Sequence, residues 1–255
     1  MKKSILMLAA AGLMIAAPSC KKGENDPGLS FSSRKARVAG EWDVTGWEFS
    51  STNTESDGDS QTSTGSLSGN TVTITNTSTS GGTSVTNTST ITINEYSFTF
   101  GKDGTWSGVN NTTTVDVSND WPLTGWTTTS TTVSTGTSSG NWSFVGKVKG
   151  EYKNKERIVM NTLTSTGSDQ TTDVVTDDGG TSTSTVGDTY QYTSNYHSGE
   201  VQDTWEIDQL KGKEMIVKMS ESNSGSWSIT PDMGSTVTTT DDVYSSDLTM
   251  TLTHR

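Results

Sequence analysis

The chain is poor in the residues that most often carry chemistry. Its 255 residues include one cysteine, two histidines and four prolines. A single cysteine excludes an internal disulfide. Two histidines, His197 and His254, leave little material for a histidine-based triad or metal centre, and there is no H-E-x-x-H, C-x-x-C pair or phosphate-cradling loop. Positive charge is scarce as well: 17 Lys and Arg against 29 Asp and Glu give a formal net charge of −12. Phosphate-backbone binding needs clustered cations that release counterions, so nucleic acid is not expected as a partner. The one basic run, GKVKGEYKNKER at 146–157, reads as a solvated hairpin loop, with a contact to anionic lipid or glycan as the sharper alternative.

Two further motifs are weak. Gly136-Thr137-Ser138-Ser139-Gly140 fits G-x-S-x-G, but a nucleophile elbow leaves a strand and enters a helix, and here NWSFVG continues as strand. The acidic turns Asp57-Gly58-Asp59, Asp177-Asp178 and Asp241-Asp242 lack the spaced loop and closing bidentate glutamate of a calcium site. No catalytic residue, metal or cofactor is expected, and the chain does not read as an enzyme.

Hydrophobic residues make up 28%, against the usual ~45–50% for globular domains, a benchmark that also counts glycine. The core is therefore thin, or the sheet is partly solvated on both faces. Eight tryptophans compensate in part, since each can bury ~150–250 Å².

Threonine, serine and valine dominate what remains. In TVTITNTSTSGGTSVTNTSTITI (71–93), Val72 and Ile74 fall on one face of a period-2 chain and Thr71, Thr73 and Thr75 on the other; Ile91 and Ile93 repeat the pattern beyond Gly81-Gly82. Two strands and a turn are expected. The stretch between them is polar on both faces, so it projects past the core or lies at a sheet edge. The same grammar recurs, with turns at GKDG (101–104), TGTSSGN (135–141), DDGG (177–180), HSGE (197–200) and KGK (211–213).

No window shows helical periodicity, which predicts roughly ten strands in meander order, the first near Glu41 and the last ending at Thr253. Leu248, Met250 and Leu252 share one face of the last strand. Trp42 and Val44 would point away from Trp47 and Phe49 unless an extra residue intervenes, so a bulge is predicted near Gly46. Tyr96, Phe98, Phe100, Trp106, Trp142, Phe144, Tyr190, Tyr192, Trp205 and Ile207 are core candidates. An all-β antiparallel meander with one apolar face and no covering helix hides that face best by closing or curling into a barrel; a sandwich is the alternative.

The amino-terminal residues read as a leader: Lys2 and Lys3, then an apolar stretch from Ile5 to Ala17, too short to span a bilayer. AAPSCKK around Cys20 resembles the lipobox of bacterial lipoproteins, and Ser19-Cys20-Lys21-Lys22 is most similar to the Bacteroidetes type. The resemblance implies a signal peptide over 1–19, a lipidated Cys20 with a flexible tether over 20–35, and a folded body over 36–255. Several acyl chains suffice for stable attachment. The cell outer membrane is thus the implied partner, with the periplasmic or outward-facing side left open.

GEW (40–42), SFTFGKDGTWSG (97–108), GNWSF (140–144) and TWEIDQLKGKEMIVKM (204–219) are similar in order and spacing to elements of bacterial lipocalin-like lipoprotein domains. That resemblance implies a lipocalin-like β-barrel with extended Thr/Ser-rich hairpins. It also implies Trp42, Phe100, Trp142 and Trp205 as barrel-closing or cavity residues, and Asp103-Gly104 as a tight turn. A monomer binding a small apolar or glycan ligand in its mouth follows. The chain departs from the pattern in lacking a recognisable arginine to pack on Trp42 and a helix after the barrel. The alternative is a structural or adhesion-like surface protein with a solid core.

Overall fold

The computed structural model describes residues 33–119, 125–145, 156–229 and 238–255. A short helix α1 (Arg34–Val38) precedes eleven strands: β1 (Gly40–Glu55), β2 (Ser60–Ser68), β3 (Thr71–Ser80), β4 (Thr83–Phe100), β5 (Thr105–Asn119), β6 (Thr127–Val145), β7 (Glu156–Thr176), β8 (Ser182–Asn195), β9 (Val201–Lys211), β10 (Glu214–Ile229) and β11 (Thr238–His254). Strand neighbours run β6-β5-β4-β3-β2-β1-β11-β10-β9-β7, and β6 pairs again with β7. Ten antiparallel strands thus close into a barrel, and β8 lies outside that ring on the edge of β7.

The strands are long for their apolar content. At ~3.3 Å per residue, the 21 residues of β7 extend about 70 Å, and only the ends near one pole of the barrel carry core side chains. At that pole, here the base, β1 pairs directly with β4, Gly40–Asp43 against Phe100–Ser97. The β2–β3 hairpin wedges between them higher up, through Glu48–Thr54 on β1 and Ser80–Thr71 on β3. Pairing of β4 with β5 ends at Ile91 and Thr114. Along β7, β9 is the partner up to Thr162 and β8 takes over from Thr164. Above the closed base, β4-β3-β2-β1-β11-β10 and β5-β6-β7-β8 therefore form two fans, with no strand pairing between them among the described residues.

Apolar side chains are pooled at the base. Trp42, Phe100, Ile158, Met160, Ile207, Leu210, Met215, Val217, Met250 and Leu252 are each at most 2% exposed, with Phe98, Trp106, Trp142 and Trp205 close behind. A register shift between Val44 and Gly46 makes Thr45 the extra residue of a bulge. That insertion returns Trp47 and Phe49 to the inner side, opposite Met250 and Leu248, as the sequence requires.

The fans hold together differently. Their strands are laddered to their neighbours within each fan, and threonines pair across strands: Thr75 with Thr88, Thr77 with Thr86 at 3.0 Å, and Thr137 with Thr166 at 2.7 Å. Each such pair contributes roughly 0.2–1 kcal/mol. At the tip of β3–β4, Gly81 and Gly82 have φ of 56° and 79°, the left-handed pair that a two-residue hairpin turn matching strand twist demands. The segment expected to project past the core does so.

Three expectations need correction. TGTSSGN is no turn: 135–141 lies inside β6, because the serine and threonine alternation sustains strand where small residues suggested a break. Tyr190 and Tyr192 are 66% and 41% exposed, not in the core, because β8 is the strand left outside the ring. A helix does exist, α1, capped by Ser33, whose Oγ accepts from the Ala36 N–H at 3.2 Å; it overlaps the last two residues of the predicted tether. The basic run at 146–155, the leader, Cys20 and most of the tether lie outside the described residues.

The division into a packed base and unpacked fans predicts a sharp contrast in mutational cost. Trp42→Ala is expected to lower unfolding free energy by about 3–5 kcal/mol, as large-to-small core changes do. Thr77→Ala, far up a fan, should cost within ~0.5 kcal/mol. Urea melts of the two variants against the parent check this.

Candidate ligand cup above a sealed base

The base is closed by hydrogen bonds as well as by packing. Trp42 is fully buried and donates its indole N–H to the Val38 carbonyl at 2.8 Å, tying β1 to α1. His254, from the last strand, sits edge-on to the Trp42 ring with centroids 5.0 Å apart. It occupies a flank of that tryptophan where the sequence offered no recognisable arginine. Arginines do bind nearby: Arg37 donates to the Leu210 carbonyl, and Arg34 pairs with Glu156. Burial, followed by the neighbouring Arg37 cation, lowers the Arg34 guanidinium to about 10, so it remains charged at neutral pH and keeps its carboxylate partner.

Arg255 closes the seam between β11, β1 and β4. Its guanidinium donates to both Asp43 carboxylate oxygens, at 2.8 and 3.0 Å, and reaches Glu95 at 3.4 Å. Those hydrogen bonds raise its pKa above the ordinary arginine value.

The predicted site residues converge here. Phe100 lies edge-on to Trp142 and Trp205, at 5.5 and 6.2 Å, and Phe98 meets Trp205 at 5.0 Å. Trp142 donates its indole N–H to the Gly101 carbonyl at 3.0 Å and Trp106 donates to Asn161 at 3.1 Å, so neither ring buries an unpaired donor. The turn after Phe100 is tight as expected. Asp103 accepts from the Thr105 N–H and hydroxyl at 3.0 and 2.7 Å, which lowers its pKa. Trp42, Phe100 and Trp142 therefore build the floor and the seal, while Trp205 alone of the four also faces a cavity.

That cavity is a cup of about 310 Å³ where the base opens between the fans. Phe98, Trp106, Met160, Trp205 and Met250 make its floor. Its walls are Tyr96, Asn110, Gly136, Ser138, Thr162, Ser165, Tyr192 and Asp203. Asp203 is the one charged side chain lining it, and no Lys or Arg does. Partial burial, then the Glu221 carboxylate, raises the Asp203 pKa although its outer end meets water. Burial, then Asp203, raises that of Tyr96 and keeps its phenol a hydrogen-bond donor. Two larger troughs, about 420 and 430 Å³, lie on the outer surface; serine, threonine and amide groups dominate their walls and neither opens onto the core.

Sequence reasoning missed the polar wall. Asn110, Ser165 and Asp203 carried no motif and Ser138 only the G-x-S-x-G match. The period-2 phase counted from Trp106, Trp142 and Trp205 marks Asn110, Ser138 and Asp203 as inward, while Ser165 is turned inward by the bulge at Leu163. The G-x-S-x-G stretch lies flat within β6, and the Ser138 hydroxyl is 3.3 Å from that of Ser165 with no histidine in the cup. Among the described residues no group of three His, Cys, Asp or Glu side chains is placed to hold a metal ion. Asp59, in the β1–β2 turn, instead braces the neighbouring β3–β4 turn, accepting from Ser80 and the Gly81 N–H at 2.6 and 3.1 Å.

Comparison with protein-family models, with curated proteins and with solved structures finds no match in any of the three.

Asp203 yields a pH prediction. A carboxyl whose folded pKa is raised binds its proton more tightly in the folded state, so its contribution to stability falls as pH rises from the unfolded through the folded pKa. Asp203→Asn is expected to raise Tm at pH 7 and to match the parent under acid conditions, where both side chains are neutral. Thermal melts across pH 3 to 8 check the crossing; a variant less stable at pH 7 contradicts it.

Proposed function

We propose that this protein is a lipid-anchored, non-catalytic binding protein of the cell envelope that receives a small ligand in the cup of a lipocalin-like barrel. The observation that carries the reading is the cup: an aromatic floor, solid beneath, opening upward between polar walls, at the lower end of the ~300–1,000 Å³ typical of ligand sites. The similarity of GEW, SFTFGKDGTWSG and GNWSF to lipocalin-like lipoprotein domains supports it, as does the use of Trp42 to close the barrel floor. A solitary cysteine at position 20, after an apolar leader and a small residue, supports acylation there and a monomer tethered to the outer membrane. The titratable groups in the cup, Tyr96, Tyr192 and Asp203, include no paired nucleophile and base, which argues for binding over turnover.

A second reading has its own observation. The fans stand well beyond the core with both faces wet, and this much polar sheet is not required to support a cup. In that reading the fans are an adhesive surface and the cup is incidental.

Metabolic labelling with a radioactive or clickable palmitate, followed by fractionation of the bacterium that makes the protein, tests the anchor. The parent should be labelled and pellet with outer membrane; Cys20→Ser should be unlabelled and soluble. Protease treatment of intact cells then reports which side the barrel faces. An unlabelled parent in the soluble fraction would sink the anchored reading.

A further inference from the structure

We infer that the cup and the inner face of β8 together form a track for a neutral polyhydroxylated chain, a glycan, and not for an acyl chain or an acidic polymer. This rests on the reading of the cup as a ligand site.

The first ground is the pair Tyr190 and Tyr192. A protein this short of apolar side chains leaves both rings at the surface, 66% and 41% exposed, on the inward side of the strand outside the ring. Their centroids are 6.1 Å apart and their planes differ by only 34°. The Tyr192 ring rests on Gly167, where a Cβ would lie 2.5 Å from its atoms. With no side chain beneath it the ring lies down on the sheet, turning its opposite face to solvent. A sugar ring carries C–H groups on its faces and hydroxyls around its rim. The electron-rich face of a phenol ring attracts the former and leaves the latter free for polar neighbours.

Those neighbours are in register. Tyr96, Asn110, Gly136, Gly167 and Tyr192 fall in one row across β4 to β8. The Asn110 amide lies over Gly136, and its two ends supply both a donor and an acceptor, the pair that adjacent hydroxyls require. In the row below are the Ser138 and Ser165 hydroxyls, and in the row above Asp169 stands opposite Tyr190.

Charge and depth decide against the other ligands. A bound carboxylate or sulfate would lose water beside the Asp203 carboxylate with no Lys or Arg in the lining to replace it. An extended acyl chain needs a deep apolar shaft, and the floor of Trp106, Trp205 and Met250 closes the cup where such a shaft would begin. A glycan needs no depth, because it can lie along Tyr190 and Tyr192 with one residue turned into the cup.

The test uses the full chain in detergent, with tryptophan fluorescence and titration calorimetry. The probes are cellohexaose, maltoheptaose and mannohexaose, tetragalacturonate as the acidic comparison, and oleate as the apolar one. Saturable binding of at least one neutral oligosaccharide is expected, with tetragalacturonate weaker by at least about tenfold, the factor set by ~1.4 kcal/mol. Tyr190→Ala, at a site too exposed to disturb folding, should weaken neutral binding about tenfold, and Tyr192→Phe should retain it, because the ring face and not the hydroxyl makes the contact. Unchanged circular dichroism and Tm in Tyr190→Ala separate lost contact from lost fold. Neutral binding undiminished in Tyr190→Ala, or tetragalacturonate bound as well as the neutral probes, overturns the track. Saturable binding of oleate alone overturns the glycan while leaving the cup a ligand site. No binding of any of the five overturns both readings.

Discussion

The structure depends on where a small stock of apolar side chains is spent. With 28% hydrophobic residues, strands this long cannot be buried along their length, and a core spread evenly would leave every level half wet. Pooling the large side chains at one pole resolves this. It creates one dry layer in which the barrel closes, and Trp42 is its keystone, fully buried and tied by its indole N–H to the carbonyl of Val38. The helix, the Arg34–Glu156 pair and His254 all cover that layer from below. Sealing matters because a barrel with an open, hydrated floor would forfeit the burial that offsets chain entropy.

Above the dry layer, the physics changes. Strand continues because threonine and valine favour the pleat and because the ladders within each fan pair the backbone, not because anything is buried. Without a core to hold the wall together, the ring splits where pairing stops, between β4 and β5 beyond Ile91 and where β7 exchanges β9 for β8. The same loss of packing leaves the outer edge of β8 free. Its only charge is Asp188, and a bulge there, where Gly187 and Asp188 oppose Thr171 alone, gives the edge strand a local twist.

Much of this was legible from residue alternation. The rows Leu248–Met250–Leu252 and Val72–Ile74, the Gly81-Gly82 turn and the bulge at Thr45 followed from period 2 and from glycine's freedom at positive φ. The continuity of β6 through 135–141 did not, because Gly136 and Gly140 resemble turn residues locally. What makes them strand is non-local: Asn110 fills the space over Gly136, and the Asn161 carbonyl would lie 1.9 Å from a Cβ on Gly140. Tyr190 and Tyr192 were misplaced for a related reason. Alternation says which side of a strand a ring is on, but whether that side is dry depends on how far along the barrel the strand stands and whether it belongs to the ring.

The cup arises at the boundary between these two regimes, and its chemistry follows from that position. From below it inherits aromatic edges that could not all fit inside the sealed layer; from above it inherits hydroxyls and amides whose hydrogen bonds are open to water. Apolar rings and water-facing polar groups meet there. Such a surface can hold a molecule that is itself apolar on its faces and polar at its rim. The acidic charge of the chain reinforces the choice: Asp203, the one charged side chain of the lining, accepts hydrogen bonds from hydroxyls while repelling anions. The ligand preference proposed for this site is thus tied to thin-core folding, since the same scarcity that confines burial to the base leaves a rim of rings and amides exposed above it.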